Sequence, residues 1–186
     1  MNFFDTIHAR YSHKEDFLPD LVPLADLKKI ALAGLAAPNG ANRQLVRLVM
    51  LPDRAALEPL GAVVAHGGLH TAPAAIAVLT TDGTPSGVMC FEKEDYAAAT
   101  TQMLLAAVAL GYASLWLDSP FFDAEREKRA KEILGAPEQY RLWALLPVGK
   151  PKGPGSRREK MPVGERLFTG RYGITPPPGD SRPARQ

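Results

Sequence analysis

The sequence predicts an α+β fold rather than a doubly wound parallel sheet. Apolar runs of strand length stand at Leu45–Leu51, Ala74–Thr80 and Tyr140–Gly149. Stretches with helical spacing lie among them, but strands and helices do not alternate strictly, as a parallel sheet with crossover helices would require. At 186 residues the chain is a size for one domain.

The elements follow in order. "MNFFDTI" is a short amphipathic start. In "HARYSHKED", Arg10, Ser12 and Lys14 stand at every second position. On an extended backbone they form one face, with Tyr11 and His13 on the other. At ~3.3 Å per residue the row spans roughly 13 Å, which suits a thin ligand with a phosphate at one end and a polarisable ring at the other. A solvated basic loop accounts for the same residues. "PLADLKKIALAGLAA" places Leu24, Leu27, Ile30 and Leu35 broadly on one helical face, and Pro38-Asn39-Gly40 stops it.

Leu45–Leu51 reads as a buried strand, and Pro52–Ala65 as a helix weakened by Pro59. A second strand at Ala74–Thr80 leads into a turn-rich connection from Thr81 to Gly87. Lys93–Gly111 is the strongest helix: alanine-rich, acidic in its first turn and ended by glycine. Being apolar almost all round, it should be buried, with a subunit interface one way to bury it. "ASLWL" is a short strand leaving that helix, and "FDAEREKRAKEILG" an exposed helix laced with Glu-to-Arg and Glu-to-Lys pairs. Tyr140–Gly149 is the last strand. Beyond Lys150 the chain is basic and rich in Gly and Pro, without periodicity, and "TPPPGDSRPARQ" cannot fold alone.

Composition excludes several classes. A formal net charge of +2 with 8% aromatics gives no basic stripe for nucleic acid. No apolar run approaches the ~20 residues of a membrane span, and no signal peptide is seen, so a cytoplasmic location is expected. One cysteine, Cys90, allows neither an internal disulfide nor a multi-cysteine metal site. With no histidine or cationic cluster nearby in sequence, it is a poor nucleophile. His66 and His70 have metal spacing on a helix, but Gly67 and Gly68 make that helix poor, so no metal is expected.

Polar groups at element ends remain. Asn39, Asn42 and Gln44 carry amides, which offer both a donor and an acceptor to the edge of a heterocycle. Ordinary turn chemistry explains them equally. Asp118 and Ser119 end a strand, and Arg157, Arg158 and Lys160 form a late basic cluster that could join the N-terminal one on a single phosphate.

In order and spacing these pieces resemble the nitroreductase family of flavin enzymes. The matching segments are Arg10-x-Ser12-x-Lys14, "AAPNGANRQ", "QMLLAAVALGY", "SLWLDSP", "LGAPEQYRLWALLPVGKP" and "RREKMP". The resemblance implies a central mixed or antiparallel sheet flanked by helices, in an intertwined homodimer with FMN at the subunit interface. It implies that Arg10, Ser12, Arg158 and Lys160 hold the FMN phosphate, with Tyr11 in the same segment. Lys14 would lie at the flavin pyrimidine edge and act there in catalysis. Pro38, Asn39 and Asn42 would come from the other subunit, and Gln44 also belongs to the cofactor site. Trp116, Leu117, Asp118 and Ser119 would lie along the ring, a backbone N–H facing N5.

Residues 1–172 would form the FMN-binding domain and 173–186 a Pro-rich tail, extended or disordered unless packed on the partner. The implied activity is hydride transfer from NAD(P)H through FMN to a nitroaromatic, quinone or similar small acceptor. Flavin fragmentation or reductive dehalogenation on the same fold, or FMN binding without turnover, are the rivals. Two departures stand out. Leu45-Val46 replaces the family's frequent Pro-Trp, and the short connection from Thr81 to Glu92 leaves the substrate pocket open.

Overall fold

The computed structural model describes residues 2–81 and 91–176. The turn-rich connection after Thr81, Cys90 and the tail beyond 176 lie outside the described residues. One compact unit ends at Ser156 and a second begins at Arg157.

Four strands form one antiparallel sheet in the order β1-β2-β4-β3, with β1 at Val46–Leu51, β2 at Ala74–Thr81, β3 at Ala113–Ser114 and β4 at Tyr140–Gly149. The helices are α1 (Phe3–Ala9), α2 (Leu24–Leu35), α3 (Arg54–Val64), α4 (Gly67–Thr71), α5 (Glu92–Ala109) and α6 (Ala124–Leu134). The α+β expectation holds, and the sheet is antiparallel throughout its named strands.

β2 explains the architecture. Its unbroken apolar run is buried along nearly its whole length because both faces of the sheet are covered. Ala75, Ala77 and Leu79 face a core built with Leu57, Leu60 and Val64 of α3, Leu69 of α4 and Ala130 of α6. Ala74, Ile76 and Val78 face the other way, onto Leu27 and Ile30 of α2 and Met103, Leu104 and Ala107 of α5. The period of two thus sorts one strand into two cores.

Helix ends follow local chemistry. Asn2 and Asp5 form a reciprocal capping box at α1, their side chains accepting backbone N–H groups at 2.9 and 3.2 Å. Asp53 caps α3 and Asp123 caps α6, each accepting a backbone N–H at 2.9 Å. Gly111, with φ +81°, turns the chain out of α5. Pro59 is absorbed inside α3.

Two sequence expectations need correction. The strand at 113–117 is broken: Ser114 pairs with Val148 and Leu117 with Leu145, but the ladder between them is not continuous. In that register Leu115 faces Pro147, which has no N–H to give, and the Ser114 hydroxyl donates to the Pro147 carbonyl at 2.7 Å. Residues 67–71, read as a poor helix, do form the one-turn α4 because Leu69 anchors it in the core. Within this one chain, α5 is sealed on one side. Ala99, Met103 and Ala107 are sealed in this chain, whereas Ala97, Ala98, Leu105 and Val108 are half-buried and Thr101 is exposed. α5 packs on α2, α1 and the sheet, and the residues on its far side stay half-buried or exposed.

Candidate functional site

The N-terminal row is held against the outer edge of the sheet. Ser12 bridges Ser114 in parallel, and the His13 N–H donates to the Ser114 carbonyl at 3.0 Å. From that bridge both segments set out in the same direction, and the N-terminal one bends at Glu15. The alternation expected of an extended backbone is present. His13 is fully buried between the rings of Tyr11 and Phe17, its Nε2 2.9 Å from the Asp16 carbonyl. Tyr11 is half-buried and lies so close to Gly155 that a Cβ there would fall inside its ring. Tyr11 and His13 therefore serve as the anchor of the row. Ser12 and Lys14 are exposed and Arg10 is half-buried. Among the described residues, no side-chain hydrogen bond or ion pair engages any of these three. Lys14 nevertheless acts on a neighbour: His66 is held below the ordinary histidine range by burial, then by Lys14 and His70.

Trp116 to Ser119 follow β3. Leu117 is buried and its N–H and C=O both pair with Leu145, at 3.0 and 2.9 Å. Trp116 packs edge-on against Tyr96, centroids 5.6 Å apart, and Tyr96 stacks on Trp143 at 4.6 Å. The Arg141 guanidinium lies 4.0 Å from the Trp143 ring centre. The Tyr96 phenol is pushed above its ordinary range by burial and by Asp118, against a smaller opposing effect of Arg141. The Trp116 indole N–H is shielded from water without a partner among the described residues. Ser119 opens a 3-10 turn to Phe122. Phe121 and Phe122 there line a cavity of about 650 Å3 with Glu92, Lys131 and Arg141.

The amide group lies elsewhere, in the loop between α2 and β1. Pro38 is exposed and Asn39 half-buried, and both line a second cavity of about 650 Å3 with Arg43, Gln44, Arg47 and Asp95. The Asn39 amide accepts the backbone N–H of Gln44 at 3.0 Å, and the Gln44 side-chain Nε2 donates to Asn42 Oδ1 at 3.3 Å. Ala41, Asn42 and Gln44 all have φ between 51 and 54°. Left-handed backbone costs a non-glycine residue about 1 kcal/mol or more, so the loop is held by its surroundings. Sequence reasoning missed the holder. Asp95, 2% exposed, accepts the Gly40 N–H at 2.7 Å, and Phe91 fills the space a Cβ at Gly40 would take. Asp95 reads as one of three acids in the first turn of a helix, and nothing local marks its partner 55 residues away.

The structure thus brings Arg10, Ser12 and Lys14 close to the β3 edge from which Trp116–Ser119 continue, and sets Pro38, Asn39, Asn42 and Gln44 beside β1, the opposite edge. Arg158 and Lys160 are exposed in the second unit. Among the described residues no group of three His, Cys, Asp or Glu side chains could hold a metal, and no helix is long and apolar enough to cross a membrane.

A sequence profile of the Nitroreductase family matches residues 7–75 and 61–150. A candidate NADH dehydrogenase/NAD(P)H nitroreductase of Archaeoglobus fulgidus is 33% identical over 128 residues, covering 68% of this chain and 73% of that protein. A candidate nitroreductase of Desulfovibrio desulfuricans, solved in complex with FMN, is 25% identical with a TM-score of 0.74, covering 92% of this chain and 99% of the other. A candidate NADH dehydrogenase/NAD(P)H nitroreductase of Parabacteroides distasonis shares the fold at a TM-score of 0.78 and 24% identity, over 90% of this chain and 98% of the other.

Proposed function

Because the chain belongs to the nitroreductase family, we propose that it is an FMN-dependent oxidoreductase working as a homodimer, with NAD(P)H as donor and a nitroaromatic, quinone or similar small molecule as acceptor. One observation carries the reading. Arg10, Ser12 and Lys14 stand on one side of an extended segment, beside β3, with no side-chain partner among the described residues. A phosphate and an electron-rich ring edge are what such a row of donors fits. On the neighbouring segment the Trp116 indole N–H is shielded and without a partner among the described residues.

FMN, when bound, supplies the two-electron chemistry that links NAD(P)H to the acceptor. The chain's own residues do the rest. Arg10 and Ser12 bind the phosphate. Lys14 sets a positive charge at the pyrimidine edge, where negative charge accumulates on reduction. Trp116 to Ser119 flank the ring, and the Leu117 pairing to β4 keeps that segment from shifting. Asn39, Asn42 and Gln44 of a second copy complete the ring's polar edge, and Pro38 packs beside them.

The test is direct. Purified protein should carry a yellow chromophore released as FMN, and without oxygen should turn over NADH or NADPH only when a quinone or nitroaromatic is present. Protein that binds no FMN on titration would overturn the proposal. FMN binding without turnover would reduce it to a flavin-holding module.

A further inference from the structure

We propose that Asp95 is the positioning residue of the Asn39–Gln44 loop, fixing through Gly40 the amides that the proposed function sets against a flavin ring. The inference rests on that reading and adds a residue to it. Asp95 sits in the first turn of α5, yet it does not cap its own helix. Its Oδ1 reaches across to accept the Gly40 N–H at 2.7 Å, from a residue that is itself buried. Gly40 is the residue that lets the loop come this close, because Phe91 occupies the volume of any Cβ there. The next residues, Ala41, Asn42 and Gln44, hold left-handed backbone that relaxes unless something over-determines it. The Asp95 bond and the Phe91 contact, both from the start of α5, are that restraint.

A tie with only a structural purpose would leave no loose polar ends. Here Asp95 Oδ2 and Arg43 Nη1 are both buried without partners among the described residues, and both residues line the cavity that Asn39 and Gln44 also line. Buried polar atoms are paired in the great majority of cases, and exceptions mark places where something else is to be bound. Asp95 thus holds the loop with one oxygen and offers the other to the cavity.

The experiment measures FMN and riboflavin affinity, with amide hydrogen exchange over residues 39–44, in wild type, Asp95→Ala and Asp95→Asn. Asp95→Ala should speed exchange in the loop and weaken FMN and riboflavin alike by about tenfold, since the contact at stake is to the ring and not the phosphate. Asp95→Asn keeps an oxygen for Gly40 and should restore slow exchange and most of the affinity. In wild type, riboflavin should further slow exchange in the loop, a readout that needs no variant to fold. Unchanged loop exchange in a folded Asp95→Ala protein overturns the positioning role, and so does a loss confined to FMN or no riboflavin protection in wild type. If wild type binds neither flavin, it is the functional reading that fails, while the exchange data still report the restraint on the loop.

Discussion

The backbone of Ser12 is paired to that of Ser114, which fixes the cationic row at one edge of the sheet, while Asn39 to Gln44 lead into β1 at the other. Four strands put roughly 14 Å of sheet between the outer two. Both faces of that sheet are covered, one by α3, α4 and α6 and the other by α2 and α5. That separation is what the proposed flavin site, shared between two copies, would bridge.

That relationship predicts a homodimer. Exposed apolar side chains would give such an interface its driving force: Leu24, Leu32 and Leu35 of α2 are each more than half exposed, as are Phe3 and Phe4 of α1. The uncovered side of α5 adds to them. Sedimentation at micromolar concentration should show twice the chain mass. A stable monomer with FMN bound would sink both the dimer and the two-copy site.

Arg10→Ala should weaken FMN through its phosphate. Losing one charge-assisted contact costs about 1.5–3 kcal/mol, roughly ten- to a hundredfold in affinity. Riboflavin, which lacks the phosphate, should bind the variant as it binds wild type. Equal losses for both ligands would remove Arg10 from the phosphate.

Thr80→Val tests how the aromatic cluster beside Trp116 is held. The Trp143 indole N–H donates to Thr80 Oγ1 at 2.7 Å, and both residues are buried. Valine keeps the shape and leaves the indole donor unsatisfied, at a cost of about 1–3 kcal/mol. Denaturant unfolding should show a lowered midpoint with an unchanged slope. A neutral result would mean that the indole finds another acceptor.

How far the sequence is legible follows from the range of each interaction. Strands β1, β2 and β4 and helices α2, α5 and α6 are readable because apolar spacing and caps are local. The extended row at Arg10 to Lys14 is readable too, since alternation is a local signal. The break in the strand after Ser114 is not, because its cause, Pro147, sits on a strand that pairs from 33 residues away. Asp95 is invisible for the same reason. The one-turn α4 is hidden because two glycines outweigh Leu69, whose burial is a tertiary fact.

Lys14 carries the sharpest prediction, because two independent measurements bear on it. The first needs no flavin. His66 is held below its ordinary value of 6.5 by burial, then by the Lys14 charge and by His70. In the window between that lowered value and 6.5 the unfolded chain binds the proton that the folded one refuses, so stability falls as pH falls through it. Lys14→Met removes one of the three causes. The His66 titration followed by NMR should move upward, and the loss of stability over that window should shrink. An unmoved His66 would mean that Lys14 points away from it. The second measurement is the FMN midpoint potential. A cation at the pyrimidine edge favours the more negative of the ring's redox states, so removing it should lower the potential. A loss of about 1–2 kcal/mol corresponds to some tens of millivolts, at about 30 mV per ~1.4 kcal/mol for two electrons. A shifted His66 with an unchanged potential, FMN remaining bound, would keep Lys14 where the structure has it and take it out of the chemistry.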